Sequence, residues 1–388
     1  MSISDGDHLP PPKVDAGIPF ITISDIDSSN RLNLNVKQFV PEEYYNNLKD
    51  IRKAQRNDIL YSVVGSFGIP VIIKGNDRFA FQRHIAILRP DPTKVIPDYL
   101  FYIMKTYEFY MQADSVAIGA AQRTISLTSL RNMTVELPSM DVQKKIATTL
   151  SRYDSLIDNY QKQIKLLEEA AQRLYKEWFV NLRFPGHENT KIVDGVPEGW
   201  EKKRLSDIGN VITGKTPSTS HKEYYGGTIP FITIPDMHGL FPENSQYLTD
   251  VGANMQAKKF IPKGSIIVSC IGTAGLVCIA KEICQTNQQI NSLILNDIEL
   301  LGYMYFTLCG LKGHLNNIGS NGATMTNVSK SKFESIETMI PTTRLYKEFN
   351  DICSTIFNTI KSLSTQLRLL TESRDRLLPK LLSGEIEV

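Results

Sequence analysis

The chain has 388 residues, 41% of them hydrophobic, enough for two or three separately cored domains rather than one. Its formal net charge of +2 at pH 7 excludes a wholesale polycation but leaves room for local basic patches that could meet phosphates. Cys270, Cys278, Cys284, Cys309 and Cys353 form no C-x-x-C pair, and the six histidines stand at no metal-ligand spacing; reduced core thiols are expected, with neither a disulfide framework nor a metal site.

The N-terminal MSISDGDHLPPP lacks a basic-then-apolar leader, and no run of eighteen apolar residues follows anywhere, so the expected location is cytoplasmic with no membrane partner. GIPFITISDI at 17–26 predicts a strand with a turn behind it, and KDIRKAQR then supplies the cations Lys49, Arg52, Lys53 and Arg56. NDILYSVVGSFGI, from Asn57, is a β-rich apolar run closed by Gly65 and Gly68, the pattern of a buried strand and tight turn. DYLFYIM, from Asp98, begins an apolar helix that continues with Ile103, Met104, Tyr107 and Met111 on one face. GAAQRTISLTSLRNMTVELP, from Gly119, places Gln122, Arg123, Thr124 and Ser126 together and ends at Pro138.

A long run without Gly or Pro follows Pro138, the composition of an uninterrupted helix. Its apolar stripe alternates steps of four and three: Ile146, Leu150, Tyr153, Ile157, Tyr160, Ile164, Leu167, Ala171, Leu174, Trp178. More than four heptads of this regularity predict a coiled coil rather than a helix lying on its own domain. The polar stretch PGHENTKIVDGVPEG (185–199) predicts a linker.

Beyond the linker the first half returns. TIPFITIPDM at 228–237 repeats GIPFITISDI, and GSIIVSCIGTAGL from Gly264 repeats NDILYSVVGSFGI with Gly272 and Gly275 on Gly65 and Gly68. GYMYFTL from Gly302 matches DYLFYIM, and GATMTNVSKSKFESIETMIP from Gly322 aligns without a gap on the segment from Gly119, so that Pro341 meets Pro138. A second stripe follows at an offset of 203: Phe349, Cys353, Ile356, Ile360, Leu363, Leu367, Leu370, Arg374, Leu377, Leu381, broken only by Arg374.

Two copies of one unit related by a two-fold axis make an isologous contact, which predicts antiparallel helices with the globular domains at opposite ends. About 33 residues at roughly 1.5 Å rise give a spacer on the order of 50 Å, suited to two heads addressing groove segments about one DNA turn apart. Arg and Gln are side chains that read base edges bidentately, which makes Lys49, Arg52, Lys53, Arg56, Gln122, Arg123 and Thr124 candidate DNA contacts in the first head. The second head offers Lys215, Thr216, Lys258, Lys259 and Lys330, together with Lys202, Lys203 and Arg204.

Two motifs point elsewhere. Gly209, Gly214, Lys215 and Thr216 have the spacing of a phosphate-binding loop, but WEKKRLSD ahead of them is too charged for a buried strand, and Gly226 and Gly227 leave no room for the following helix. Asp194 with Glu201 and Lys203 suggests a metal-dependent nuclease, yet the set straddles a Gly/Pro linker and lacks rigid support. A non-catalytic DNA reader is therefore preferred over an NTPase, a nuclease or a coiled-coil adaptor without DNA readout.

LPSMDVQKKIATTLSRYDSLIDNYQKQIKLLEEAAQRLYKEWFVNLRFPG resembles the central conserved region of the specificity (S) subunits of type I restriction-modification systems, and RLLPKLLSGEI at 376–386 resembles their C-terminal one. GWEKKRLSDIGNVITGKTPS is similar to the start of their target recognition domains, and TISLTSLRNMTVELP with TNVSKSKFESIETMIP to the ends. The resemblance implies an α/β (α+β) fold with two pseudo-symmetric target recognition domains separated by a long antiparallel two-helix coiled coil. The expected organisation is recognition domain 1 at 1–139, helical region 1 at 140–184, linker at 185–199, recognition domain 2 at 200–341 and helical region 2 at 342–388. It implies readout of an asymmetric bipartite site in double-stranded DNA. Two methyltransferase (M) subunits and the restriction/translocase (R) subunits are the implied partners, with S-adenosylmethionine, ATP and Mg in those partners and no cofactor or catalytic residue in this chain. One departure stands out. The second domain carries Trp200 and an expected strand RLSDIG ahead of its GKTPS loop, where the first has only MSIS before GDHLPPP; either that piece is lacking or another segment, such as the C-terminal GEIEV, fills its place.

Overall fold

The computed structural model describes residues 1–8, 11–27, 29–120, 122–320 and 326–388; residues 322–325 of the second aligned loop therefore lie outside the described residues. The chain divides into two compact units, unit 1 comprising Met1–Asn159 with Arg368–Val388 and unit 2 comprising Tyr160–Leu367.

In unit 1 the strands Ser2–Asp5, Ile85–Arg89, Ile59–Ser62 and Pro70–Ile72 lie side by side in that order, all antiparallel. Side chains alternate across a strand, so Ile59, Tyr61, Ala86 and Leu88 enter a core with the helical residues Tyr99, Leu100 and Phe101. Leu60, Ile85 and Ile87 enter a second core with Ile21, Phe79 and Phe81. Both faces are covered, which explains strands written as near-continuous apolar runs. A smaller sheet pairs Phe39–Val40, Ile18–Ile21 and Ala80–Phe81.

Unit 2 repeats this plan. Gly209–Thr213, Ile290–Leu295, Ile266–Ser269 and Val277–Ile279 form the larger sheet in the same order, and Gln246–Leu248, Tyr225–Ile232 and Gln285–Thr286 the smaller one. The turn expected behind each copy of the PFIT strand is a 3-10 helix, Ile23–Asp25 or Ile234–Asp236, closed by a carboxylate that accepts the backbone N–H of Thr22 (2.8 Å) or Thr233 (2.7 Å).

Three expectations change. RLSDIG is not a strand: Glu201–Arg204 is the strand, Leu205–Ile208 a short helix that buries Leu205 and Ile208, and Gly209–Thr213 the next strand. The helix from Asp98 is two helices, Pro97–Met104 and Tyr107–Val116, because the Thr106 side chain caps the second by accepting the N–H of Phe109. That break turns Tyr107 and Met111 outward, and Phe109 and Ala113 fill the core instead. Finally, Ser2–Asp5 occupies the place of Gly209–Thr213, while the pairing of Glu201–Arg204 with Glu337–Ile340 has no counterpart at 134–137, and GEIEV forms no strand.

The long helices span Met140–Tyr175, prolonged by a π-helical turn at Lys176–Val180, and Thr343–Leu382. Pro379 lies one turn before the end of the second, where a single lost N–H bond is tolerated. Within unit 1, Ile146, Leu150 and Leu381 are buried in one core with Leu377 half-buried against it; Ile157 is also buried, and Tyr153 and Leu370 are half-buried. Within unit 2, Phe349, Cys353, Ile360 and Leu363 are buried, while Tyr160, Ile164, Leu167, Leu174, Trp178, Ile356 and Leu367 are half-buried. Pairing is antiparallel inside each unit: Trp178 meets the Phe349 ring at 5.7 Å, and Asp154 meets Arg374 at 2.8 Å. Four cysteines are buried and Cys309 half-buried, all unbridged. Burial pushes Cys270 and Cys309 up to about 11 and Cys278, Cys284 and Cys353 up to about 12, which leaves them as thiols.

Candidate nucleic-acid interface

Each unit gathers four loops at one edge of its larger sheet on the same backbone frame. Gly65 and Gly68 have φ of 71° and 91°, Gly272 and Gly275 76° and 89°, a left-handed turn that favours glycine. The N–H of Val63 bonds to the carbonyl of His84 (2.9 Å) as that of Cys270 does to Gln289 (2.8 Å). Gly65 bonds to the carbonyl of Arg123 (2.9 Å) as Gly272 does to Thr326 (3.0 Å). Asp7 bonds to Phe81 (3.1 Å) as Lys215 does to Thr286 (2.9 Å). Gly6 and Gly214 allow that last approach: a Cβ there would lie 2.3 Å from the Phe81 oxygen or 2.2 Å from the Thr286 and Asn287 oxygens.

The side chains on this frame differ. In unit 1 the Asp7 carboxylate accepts from Tyr44 Oη (2.5 Å) and from Arg52 Nη1 (2.8 Å). Burial, the hydrogen bond to Asp7 and its charge raise the Tyr44 hydroxyl above its ordinary value, so it stays a donor. Arg123 donates to the side chain and backbone of Asp114 and lies 5.4 Å from the Phe67 ring centre, and Phe67 stacks on Tyr110. Thr124 bridges Ile118 and Val64 through its backbone. Lys53 is held by the carbonyl of Asn46 (3.1 Å) and by Asp50 (3.5 Å). Lys49, Arg56 and Gln122 are exposed, with no side-chain partner among the described residues. Arg52 and Arg123, the strongest base-reading candidates by residue type, are thus engaged internally.

In unit 2 the Thr216 hydroxyl donates to Gln288 Oε1 (2.5 Å). The Gln289 N–H donates to Asn287 Oδ1 (3.1 Å), which orients that amide so that its Nδ2 donates to Gln289 Oε1 (3.1 Å). Gln289 Nε2 is thereby left as a donor with no partner among the described residues. Lys215 is exposed, and Lys258 and Lys259 sit on the 3-10 turn Ala257–Lys259. Gln256, which begins that turn, donates to Gln285 Oε1 (2.7 Å), anchoring the turn just ahead of Thr286. Lys330 pairs with Glu334 (3.4 Å), Lys202 with Glu337 (2.6 Å) and Lys203 with Glu201 (2.8 Å), so these charges are matched locally. Glu201 and Lys203 face each other on an exposed strand, and Asp194 sits at φ 52° in a separate hairpin, so they do not converge. After Thr216 no helix begins before the 3-10 turn Lys222–Tyr224, so the glycine-lysine motif lacks a helix N-terminus for phosphate.

Three positions escaped sequence reasoning: Gln82, Arg83 and His84 in unit 1, and their equivalents Asn287, Gln288 and Gln289 in unit 2. They connect two strands and carry no motif of their own, so nothing in the sequence set them apart. Burial, followed by the charge of Arg83, lowers the His84 imidazole below its ordinary value, so it presents a neutral ring. A cleft of about 640 Å³ in unit 1 lies away from these loops along the first long helix; four cationic and four acidic side chains line it, a balance unsuited to a polyanion.

The chain matches the family model of the type I restriction modification DNA specificity domain over residues 10–169 and 197–372. It is 32% identical to the type I restriction enzyme HindI specificity subunit of Haemophilus influenzae, covering 88% of this chain and 90% of that one. It is 28% identical to the MjaIX specificity subunit of Methanocaldococcus jannaschii, covering 76% and 70%. The crystal structure of a type I restriction-modification S subunit from M. genitalium shares the fold with a TM-score of 0.65 at 17% identity, covering 98% of this chain and 93% of that one. Two matched recognition modules, each with exposed polar loops on one repeated frame, and a relative aligned along most of both chains lead to one conclusion: the protein belongs to the specificity subunits of type I restriction-modification systems, non-catalytic chains that supply DNA sequence recognition to a larger assembly.

Proposed function

We propose that residues 1–139 and 200–341 each read one half of an asymmetric bipartite site in double-stranded DNA. On this reading the helical regions at 140–184 and 342–388 seat two methyltransferase subunits, to which the restriction/translocase subunits attach. S-adenosylmethionine, ATP and Mg belong to those partners, and the assembly works in the cytoplasm. The observation that carries the reading is the repetition of one backbone frame with unlike side chains: Arg83 and His84 stand where unit 2 has Gln288 and Gln289. One scaffold placing two different donor and acceptor sets against base edges selects two different half-sequences.

Exchange of 200–341 for the matching segment of another family member, followed by mapping of methylated adenines in a host carrying the M subunits, tests this. One half of the methylated sequence should change and the other persist. Change in both halves, or in neither, is incompatible with independent readers.

A further inference from the structure

Resting on that reading, we infer that Lys215 and Lys259 form a clamp for a DNA backbone phosphate in unit 2, and that unit 1 has replaced the same clamp by an internal ion pair. The equivalence of positions is set by the backbone. Asp7 and Lys215 each follow the close-approach glycine and bond to the carbonyl of the same place in the frame, Phe81 or Thr286. Arg52 and Lys259 each close a 3-10 turn that follows a short helix, Glu42–Asn47 or Asp250–Asn254. Their N–H groups bond to the carbonyls of Lys49 and Gln256, both at 2.8 Å.

In unit 1 these two positions hold opposite charges that meet: Arg52 Nη1 lies 2.8 Å from Asp7 Oδ1. In unit 2 they hold two ammonium groups, and neither Lys215 nor Lys259 has an ion-pair or hydrogen-bond partner for its side chain among the described residues. Like charges on a frame that elsewhere brings a salt bridge together repel one another and favour an anion between them. Among the described residues no carboxylate pairs with either lysine, and Lys215 itself stands where unit 1 has Asp7. The anion this arrangement favours comes from outside these residues. Its natural source is the phosphate backbone of the duplex: Lys215 is exposed, and the neighbouring Thr216, Gln288 and Gln289 present neutral polar groups toward the same edge. A phosphate seated there sets the depth of the loops in the groove without reading sequence. The two units thus hold the duplex unequally, unit 2 by charge and unit 1 with that charge already neutralised.

The test uses the full chain assembled with its M subunits. Binding is measured over a range of salt concentrations on a duplex containing the sequence mapped by adenine methylation and on a random duplex. Each phosphate contact adds about 0.9 to the slope of log K against log salt. Lys215→Ala and Lys259→Ala should each flatten the slope by up to about one and weaken binding at low salt by about tenfold on both duplexes, while the methylated sequence stays the same. Asp7→Lys, which writes the unit 2 arrangement into unit 1 opposite Arg52, should steepen the slope by a similar amount. The lysine variants alter exposed or half-exposed side chains and keep the test valid should Asp7→Lys not fold. Slopes unchanged in both lysine variants overturn the clamp, as does a loss confined to the specific duplex. Failure of the wild-type assembly to prefer the mapped duplex would instead count against half-site reading, and the slopes on random DNA would still decide the clamp.

Discussion

Arg374 Nη1 donates to Asp154 Oδ1 at 2.8 Å, and Tyr102 Oη donates to the other oxygen of the same carboxylate at 2.6 Å. The residue that breaks the second apolar stripe is therefore satisfied by Asp154 of the first helix and by its own neighbour Asp375 (2.8 Å), while Tyr102 holds the Asp154 carboxylate from the recognition domain. Unit 2 solves the same place differently: Ala171, Phe357 and Phe306 stand at the equivalent positions and share one apolar core, the two rings 6.2 Å apart. Burying a charge pair costs desolvation that its attraction roughly offsets, whereas removing one member leaves the other uncompensated. Arg374→Ala is expected to destabilise the chain by about 2–3 kcal/mol. Arg374→Ala with Asp154→Phe and Tyr102→Phe, which copies unit 2 without orphaning the Tyr102 hydroxyl, should recover most of that loss. Chemical denaturation of wild type, the single variant and the triple variant checks it; a triple variant no better than the single one would show that the equivalence of the two seams is only geometric.

Gly214→Ala tests the frame. The added Cβ would lie 2.2 Å from two backbone oxygens, which are not the flexible ends of side chains and cannot swing away. The loop bearing Lys215 and Thr216 must shift, so binding to the duplex should fall at least about tenfold, the scale of one lost contact. The long helices should retain their far-ultraviolet circular dichroism signal. Wild-type affinity in a folded Gly214→Ala protein would remove this loop from the interface.

Gln289 is poised by its neighbours to donate. Its Oε1 is occupied by Asn287, and Nε2 has no acceptor among the described residues. Gln289→Glu replaces those donors by acceptors, and a lost base contact is worth about 1–3 kcal/mol. Methylation of the native sequence should drop by about tenfold or more, with any residual activity moved to sequences altered in one half only. Genome-wide methylation mapping reads the outcome, and an unaltered map means that Gln289 faces no base.

Asp236 gives a pH signature to unit 2. Burial alone would raise its carboxyl, but hydrogen bonds from Ser245 and from Thr233, through side chain and backbone, carry it below the ordinary carboxylate value. A group whose folded-state value is depressed stabilises the fold above its unfolded value, about 3.9 for Asp, and loses that contribution as the pH falls through the folded value. Wild type should therefore melt above Asp236→Asn at pH 6, with the gap narrowing below about pH 4. A gap that is constant with pH would mean that the hydrogen bonds do not favour the ionised form.

Much of this protein was written in periodicity. The stripes from Ile146 and Phe349 and the returning PFIT and glycine-closed runs are local patterns with a period, and burial of one face follows wherever such a pattern forms a helix or strand. Duplication itself is a property of the string and needs no coordinates. The partnerships were not legible, because they join residues distant in sequence through a fold that the string does not draw. Nothing around Arg52 distinguishes it from Lys49 or Arg56; only the segment after the strand Ser2–Asp5, which carries Asp7, decides that it is neutralised. Gln82–His84 and Asn287–Gln289 looked like connections until the sheets set them beside Gly65 and Gly272. Arg374 read as a flaw in a stripe, and its meaning came from a carboxylate 220 positions earlier. Charges and amides act over a few ångströms, so what they do depends on tertiary neighbours, whereas apolar spacing acts along the chain and survives in the sequence alone.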